Sequence, residues 1–81
     1  HLIEKEELAE YEELIRRLYE AISSLPPMQA RRVHARYMLG MKVKDIAAME
    51  GITPSQAGKS IHAALRGLRR YFARQKWTVN L

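Results

Sequence analysis

Apolar residues recur along the first 25 positions at alternating steps of three and four. They are Leu8, Tyr11, Ile15, Leu18, Ile22 and Leu25. Because an α-helix turns 100° per residue, this spacing places them in one stripe of a long amphipathic helix. Pro26 and Pro27 follow, and a helix interior does not tolerate proline. The pattern therefore predicts a first helix over residues 1–24.

Pro27 can also serve as the first residue of a second, basic helix, assigned to residues 25–40. Proline fits the first helical position, because the amide hydrogen that it lacks has no partner there. Gly40 ends the helix. Its inward face is predicted to carry Ala30, Val33 and Tyr37. Its outward face is predicted to be basic, with Arg31, Arg32 and Arg36.

A short third helix is predicted over residues 43–50. Its inward residues are Val43, Ile46, Ala47 and Met49. Gly51 follows and suits the left-handed C-terminal cap that glycine adopts at little cost. We also expect Gly51 and Ala47, both small, to let the third and fourth helices approach closely.

The stretch TPSQ, residues 53–56, predicts the start of a fourth helix. Thr53 is a good N-cap, Pro54 suits the first position, and Gln56 completes a capping box. An inward stripe then runs to about Arg74 through Ala57, Ile61, Ala64, Leu65, Leu68 and Phe72. The opposite face is polar and carries Ser55, Lys59, His62, Arg66 and Arg70, with Gln56 at its edge.

Gly58-Lys59-Ser60 matches the end of the phosphate-binding loop of nucleotide-hydrolysing enzymes. That loop needs a glycine five residues before Gly58, where this chain has Thr53, and a strand before it. A chain of 81 residues cannot also house the parallel sheet. We therefore place Lys59 on a helix surface, and we expect no enzyme activity and no cofactor.

A turn built on Gly51 joins the third helix to the fourth, whose polar, basic face begins in its first turn. This is the helix-turn-helix arrangement, in which the second helix enters the major groove of DNA. The sequence thus predicts an all-α fold: a four-helix bundle containing a helix-turn-helix at residues 43–74, with a long N-terminal amphipathic helix.

Charge is distributed unevenly along the chain. Residues 1–20 carry seven acidic and three basic side chains, whereas the other 61 residues carry two acidic and eleven basic ones. A basic body of this kind predicts a polyanion as partner, here double-stranded DNA. The acidic leading helix predicts a protein partner or solvent.

Several other classes are disfavoured. The sequence has no cysteine, no apolar run long enough to cross a membrane and no signal-peptide pattern, so we expect a cytoplasmic protein without a membrane partner. His34 and His62 lack metal-ligand spacing, and we expect no metal. Trp77 is expected to cover one end of the bundle. Because the chain begins with His1 and not Met, we expect a fragment of a longer chain.

Three stretches carry a family resemblance: LPPMQARRVHARYMLG at 25–40, VKDIAAMEGIT at 43–53 and KSIHAALRGLRR at 59–70. They look like the Leu-x-Pro start and basic second helix, the Ile-Ala and Gly-Ile/Val-Ser/Thr motif, and the Ala-Leu-x-x-Leu-Arg run of bacterial RNA polymerase sigma factors, region 4. Sigma-like proteins of phages and mobile elements are especially similar. The resemblance implies promoter recognition by the C-terminal domain of an initiation factor, which also docks on RNA polymerase core through its first three helices.

Position along the fourth helix assigns the candidate DNA contacts. Its first two turns would enter the major groove, so the predicted base-reading residues are Ser55, Gln56 and Lys59. The predicted contacts to phosphates or the groove edge are Arg31, Arg32, Thr53, His62, Arg66 and Arg70.

Two other functions stay open at this point. One is a free-standing helix-turn-helix regulator of phage or mobile-element type that forms a homodimer through the first helix, although we expect that helix to pack mainly inside the domain. Palindromic half-sites in the preferred DNA would favour this regulator. The other is a helical adaptor that binds only protein, which would show no salt-sensitive DNA binding.

Overall fold

A computed structural model describes residues 4–75 and contains four α-helices in this range. They are α1 (Lys5–Ser23), α2 (Pro27–Val33), α3 (Val43–Glu50) and α4 (Pro54–Arg74), and a π-helical segment, His34–Met38, continues α2. Residues 4–75 contain no strand. The all-α prediction and the predicted bounds of α3 and α4 are confirmed. Trp77 lies outside the described residues.

The other helices pack around α4. Its buried residues follow the predicted stripe at Ala57, Ile61, Ala64, Leu68 and Phe72. The main core joins the C-terminal half of α4 to the end of α1 and to α2, through Ala21, Leu25, Val33, Ala64, Leu68 and Phe72. α3 also packs against α4 and buries Ile46 and Ala47. One helix therefore organises the whole described domain.

Only the second half of α1 packs against this body. Ala21 is fully buried, and Leu18 and Ile22 pack partly buried against the core. Nearer the start of the helix, Leu8 is 46% exposed and Tyr11 is 61% exposed. The predicted apolar stripe is real, but internal packing covers only its last part.

The second helix changes its geometry after Val33. In a π-helix each amide bonds to the carbonyl five residues earlier, as the Leu39 N–H does to the His34 carbonyl oxygen at 3.1 Å. The wider turn shifts later side chains away from their α-helical positions. Tyr37, predicted to face inward, is 56% exposed, so that prediction is wrong.

The turn between α3 and α4 has both predicted caps. Gly51 adopts the left-handed conformation with φ at +68°, and the Ile52 N–H donates to the Ala47 carbonyl oxygen at 3.0 Å. The Gln56 N–H donates to Thr53 Oγ1 at 3.1 Å, and the Thr53 N–H donates to Gln56 Oε1 at 2.9 Å. This reciprocal pair satisfies two backbone amides at the start of α4. The predictions of a helix-turn-helix and of a capping box are confirmed.

Gly51 is required for its backbone conformation and not for close helix packing. A Cβ atom added to Gly51 would meet no atom within 4 Å, so the expectation that this glycine permits a close approach is wrong. Ala47 is buried as expected, but Met49, also predicted to face inward, is 75% exposed. The prediction for Met49 is therefore wrong as well.

The Gly51 backbone can be tested with two substitutions. We expect Gly51→Val to lower the free energy of unfolding by about 1 to 3 kcal/mol, because a β-branched residue is strained at positive φ. Gly51→Asn should cost less, since asparagine adopts the left-handed region more readily. Urea denaturation followed by circular dichroism measures both. Equal losses in the two variants would contradict the backbone explanation.

Candidate nucleic-acid interface

The polar face of α4 is open to solvent from its first turn. Ser55, Gln56 and Lys59 are exposed, and further along the helix His62, Arg66 and Arg70 are exposed as well. At a rise of 1.5 Å per residue, Gln56 and Arg70 lie about 21 Å apart along the axis. The first two turns of α4 therefore carry a polar surface, here called the polar tip (Ser55, Gln56 and Lys59). A basic surface with His62, Arg66 and Arg70 follows along the same helix.

The three side chains of the tip differ in how free they are. Within residues 4–75, neither Ser55 nor Lys59 has a side-chain hydrogen bond or ion pair, so both can reorient toward a ligand. Gln56 Oε1 already accepts from the Thr53 N–H, which leaves its amide nitrogen free to donate. Gln56 thus serves the helix cap while its outer edge faces solvent.

The predicted phosphate contacts divide into two groups. Arg31 on α2 and Thr53 before α4 are exposed, like His62, Arg66 and Arg70. The Thr53 hydroxyl oxygen accepts in the cap, but its hydrogen can still be donated to an anion. These side chains are placed where a polyanion could reach them, whereas Arg32 is not.

Arg32 lies between helices and not on the outward face. Its Nε atom donates to both carboxylate oxygens of Glu50, at 3.1 and 3.0 Å, and Nη2 donates to Oε1 at 3.0 Å. Nη1 donates to Ser60 Oγ at 3.0 Å. The Arg32 and Glu50 side chains are only 14% and 15% exposed. The predicted outward orientation of Arg32 is wrong, because its guanidinium joins α2 to the end of α3 and to α4.

This pairing changes the acid–base behaviour of both groups. The hydrogen bond from Arg32 lowers the pKa of the Glu50 carboxyl below its ordinary value of 4.5, against the opposing effect of burial. The hydrogen bond to Glu50 in turn raises the pKa of Arg32. Both groups are therefore charged over the whole physiological range.

Local periodicity could not reveal this cross-link, since Arg32 and Glu50 lie 18 residues apart. One signal was present in the sequence. Glu50 and Asp45 are the only acids among residues 21–81, and a lone acid in a basic region is a good candidate for pairing.

A polar cleft of about 260 Å³ lies between the junction of α1 with α2 and the C-terminal half of α4. It is lined by Ser24, Leu25, Pro26, Gln29, Gly67, Arg70 and Arg74, with no acidic side chain among them. Arg74 was missing from the predicted contacts, although its spacing of four residues from Arg70 could have indicated it. The fold brings both guanidinium groups to one cleft that suits an anion.

A second surface is apolar. A groove of about 280 Å³ lies among α1, the π-helical segment and α4, and it is lined by Leu18, Ile22, Tyr37, Met38, Leu65 and Leu68. Leu65 lies about 120° around α4 from Lys59. The groove and the polar tip therefore face different directions.

Residues 4–75 show neither a metal site nor a membrane-spanning helix. No group of three or more metal-ligating side chains in this range could hold a metal ion. None of its helices is long and apolar enough to span a membrane.

Comparison with known proteins gives a match to a protein-family model. The family model described as sigma-70, region 4 matches residues 15–68, from the middle of α1 to the last third of α4. No curated protein and no solved structure matches the chain significantly. The matched range includes α2, α3, the Gly51 turn and the polar tip of α4.

The Arg32 to Glu50 cross-link predicts a specific dependence of stability on pH. Because folding lowers the pKa of Glu50, the pair stabilises the fold above about pH 4.5, and this contribution is lost as pH falls through the lowered value. Glu50→Gln should therefore lower the free energy of unfolding by about 1 to 3 kcal/mol at pH 7 and by less at pH 3. Urea denaturation across this range, with the exposed Glu12→Gln as control, measures the difference. A loss that is independent of pH would contradict the assignment.

Proposed function

The chain belongs to the sigma-70 region 4 family, and from this premise we propose that it recognises promoter DNA as the C-terminal domain of a sigma-like transcription initiation factor. Region 4 is a DNA-binding domain and not a catalytic one. One observation carries the proposal. The polar tip of α4 is exposed, and the capping box and the Gly51 turn hold it at a fixed position on the body.

In this proposal the first two turns of α4 enter the major groove. Lys59 donates to guanine acceptors, which is a common specific contact in DNA recognition. Ser55 donates to or accepts from a base edge. Gln56 contributes its free amide nitrogen, since its oxygen is occupied in the helix cap.

Contacts to phosphates fix the position of the helix on the duplex without reading sequence. We propose this role for Arg66 and Arg70 on α4 and for Arg31 on α2, with shorter contacts from Thr53 and His62. Arg74 joins them, because it lines the same polar cleft as Arg70. The excess of positive charge after residue 20 supports this assignment. Arg32 is left out, since Glu50 and Ser60 already bind its guanidinium.

We also propose that the domain docks on RNA polymerase core through the apolar groove. Of the three helices predicted to dock, α1 and the continuation of α2 line this groove, whereas α3 does not. The groove is lined by apolar side chains of α1, the π-helical segment and α4, and Tyr37 within it is exposed, so it offers an apolar surface to a protein partner. Because Leu65 in the groove lies about 120° around α4 from Lys59, polymerase and DNA would bind different sides of this helix. The proposed compartment is the cytoplasm.

The alternative is a free-standing regulator that dimerises through α1. The exposed large apolar residues of α1 are Leu8, Tyr11 and Tyr19. Leu8 and Tyr11 are surrounded by exposed glutamates at positions 4, 6, 7, 10 and 12. Two such helices would repel each other, so charge disfavours the dimer. No observation on residues 4–75 favours it over the sigma-like role.

Lys59 and Arg70 provide a matched test that separates base recognition from phosphate binding. Each is exposed, each loses one positive charge on change to alanine, and neither has an ion pair within the described range. We expect Lys59→Ala to reduce the difference in binding free energy between the preferred and the scrambled duplex by about 1 to 3 kcal/mol. Arg70→Ala should weaken binding to both duplexes equally. It should also reduce by about one the slope of the logarithm of the binding constant against the logarithm of the salt concentration.

Fluorescence anisotropy at several salt concentrations measures these quantities, with the preferred duplex selected from a random-sequence pool. The proposal requires that Lys59→Ala and Arg70→Ala differ in kind. If Arg70→Ala abolished discrimination while Lys59→Ala left it intact, the orientation of α4 on DNA would be wrong.

A further inference from the structure

Gly58 is the one glycine of the four in this chain that the fold does not require. Gly40 and Gly51 have φ values of +71° and +68°, which favour glycine. At Gly67 an added Cβ atom would lie 2.7 Å from Leu25 Cδ2, so the Leu25 side chain would have to move. At Gly58 the backbone is helical without a positive φ, and an added Cβ atom would meet nothing within 4 Å.

Gly58 nevertheless lowers the stability of its helix. It is the fifth residue of α4, which spans 21 residues, so it lies inside the helix and not at a cap. Glycine in a helix interior is less stable than alanine, because the unfolded chain loses more conformational freedom on folding. A glycine that weakens the helix and relieves no internal clash is explained if something outside the chain lies against it.

The position of Gly58 indicates what that contact is. On the helix surface its neighbours are Ser55, one turn earlier, and His62, one turn later, and both are exposed. Gly58 itself is partly exposed, on the flank of the polar tip. Ser55 has a short side chain. It can reach a base edge only if the α4 backbone comes close to the floor of the DNA major groove.

We infer that Gly58 is a close-approach position at which a DNA strand packs directly against the backbone of α4. This inference rests on the proposed function and extends it. It assigns to Gly58, which carries no charge, control over how deeply the polar tip enters the major groove of DNA. The contact depends on the missing side chain. Any side chain at position 58 would hold the strand away and would lift Ser55 and Lys59 from the bases.

The inference predicts opposite effects on folding and on binding. Gly58→Ala should raise the melting temperature by about 2 to 8 °C. The same variant should bind the preferred duplex about 10-fold more weakly, a change of about 1.4 kcal/mol. Gly58→Leu should weaken binding further, because its longer side chain reaches farther toward the strand, and its Cβ atom meets no internal atom within 4 Å.

Ala9→Leu is the matched control. Ala9 is exposed near the start of α1, where no DNA contact is proposed, and the change likewise adds a leucine to an exposed helix position. It should leave affinity unchanged. Thermal denaturation and anisotropy titrations on the four proteins, wild type included, give both readouts.

The outcomes separate the inference from the function on which it rests. If the wild-type chain showed no salt-sensitive binding to any duplex, both would fail. If the wild type bound and Gly58→Ala bound equally well, only the inference would fail. A lower melting temperature for Gly58→Ala would also overturn it, because the fold itself would then need the glycine.

Discussion

The guanidinium of Arg32 holds the DNA-binding unit together. It binds the carboxylate of Glu50 at the end of α3 and the hydroxyl of Ser60 in the second turn of α4, so one side chain joins three helices. A rotation of α3 against α4 would break these charge-assisted bonds in a largely buried setting. The Gly51 turn sets the angle between the two helices, and the cross-link keeps it.

This rigidity determines what α4 can do. Its inward stripe supplies half of the buried apolar residues, and its outward face carries the proposed DNA contacts, so packing and recognition share one element. A helix that could tilt would not place Lys59 against the same base in each complex. Leu65 and Leu68 of α4 also line the apolar groove. The proposed polymerase contact and the proposed DNA contacts therefore share this helix, which fixes their positions relative to each other.

The features that sequence predicted well depend on short-range chemistry. Thr53 and Gln56 form their cap within four residues, and Gly51 needs only its own backbone, so the bounds of α3 and α4 could be predicted. The inward orientation predicted for Tyr37 and the outward orientation predicted for Arg32 were wrong for two different reasons. A π-helical segment moved Tyr37 off its expected face, and the partners of Arg32 become neighbours only in the folded chain. The proposed DNA contacts stay predictions, since exposure shows which side chains are accessible and does not identify what they bind.

The most direct test of the account is the NMR spectrum of the ¹⁵N-labelled chain titrated with its preferred duplex. A rigid unit that reads DNA through the tip of α4 predicts the largest amide shift changes at residues 53–62, further changes at Arg31, Arg66, Arg70 and Arg74, and none at residues 5–12 of α1. Changes concentrated in α1 or around the apolar groove, with residues 53–62 unaffected, would contradict it.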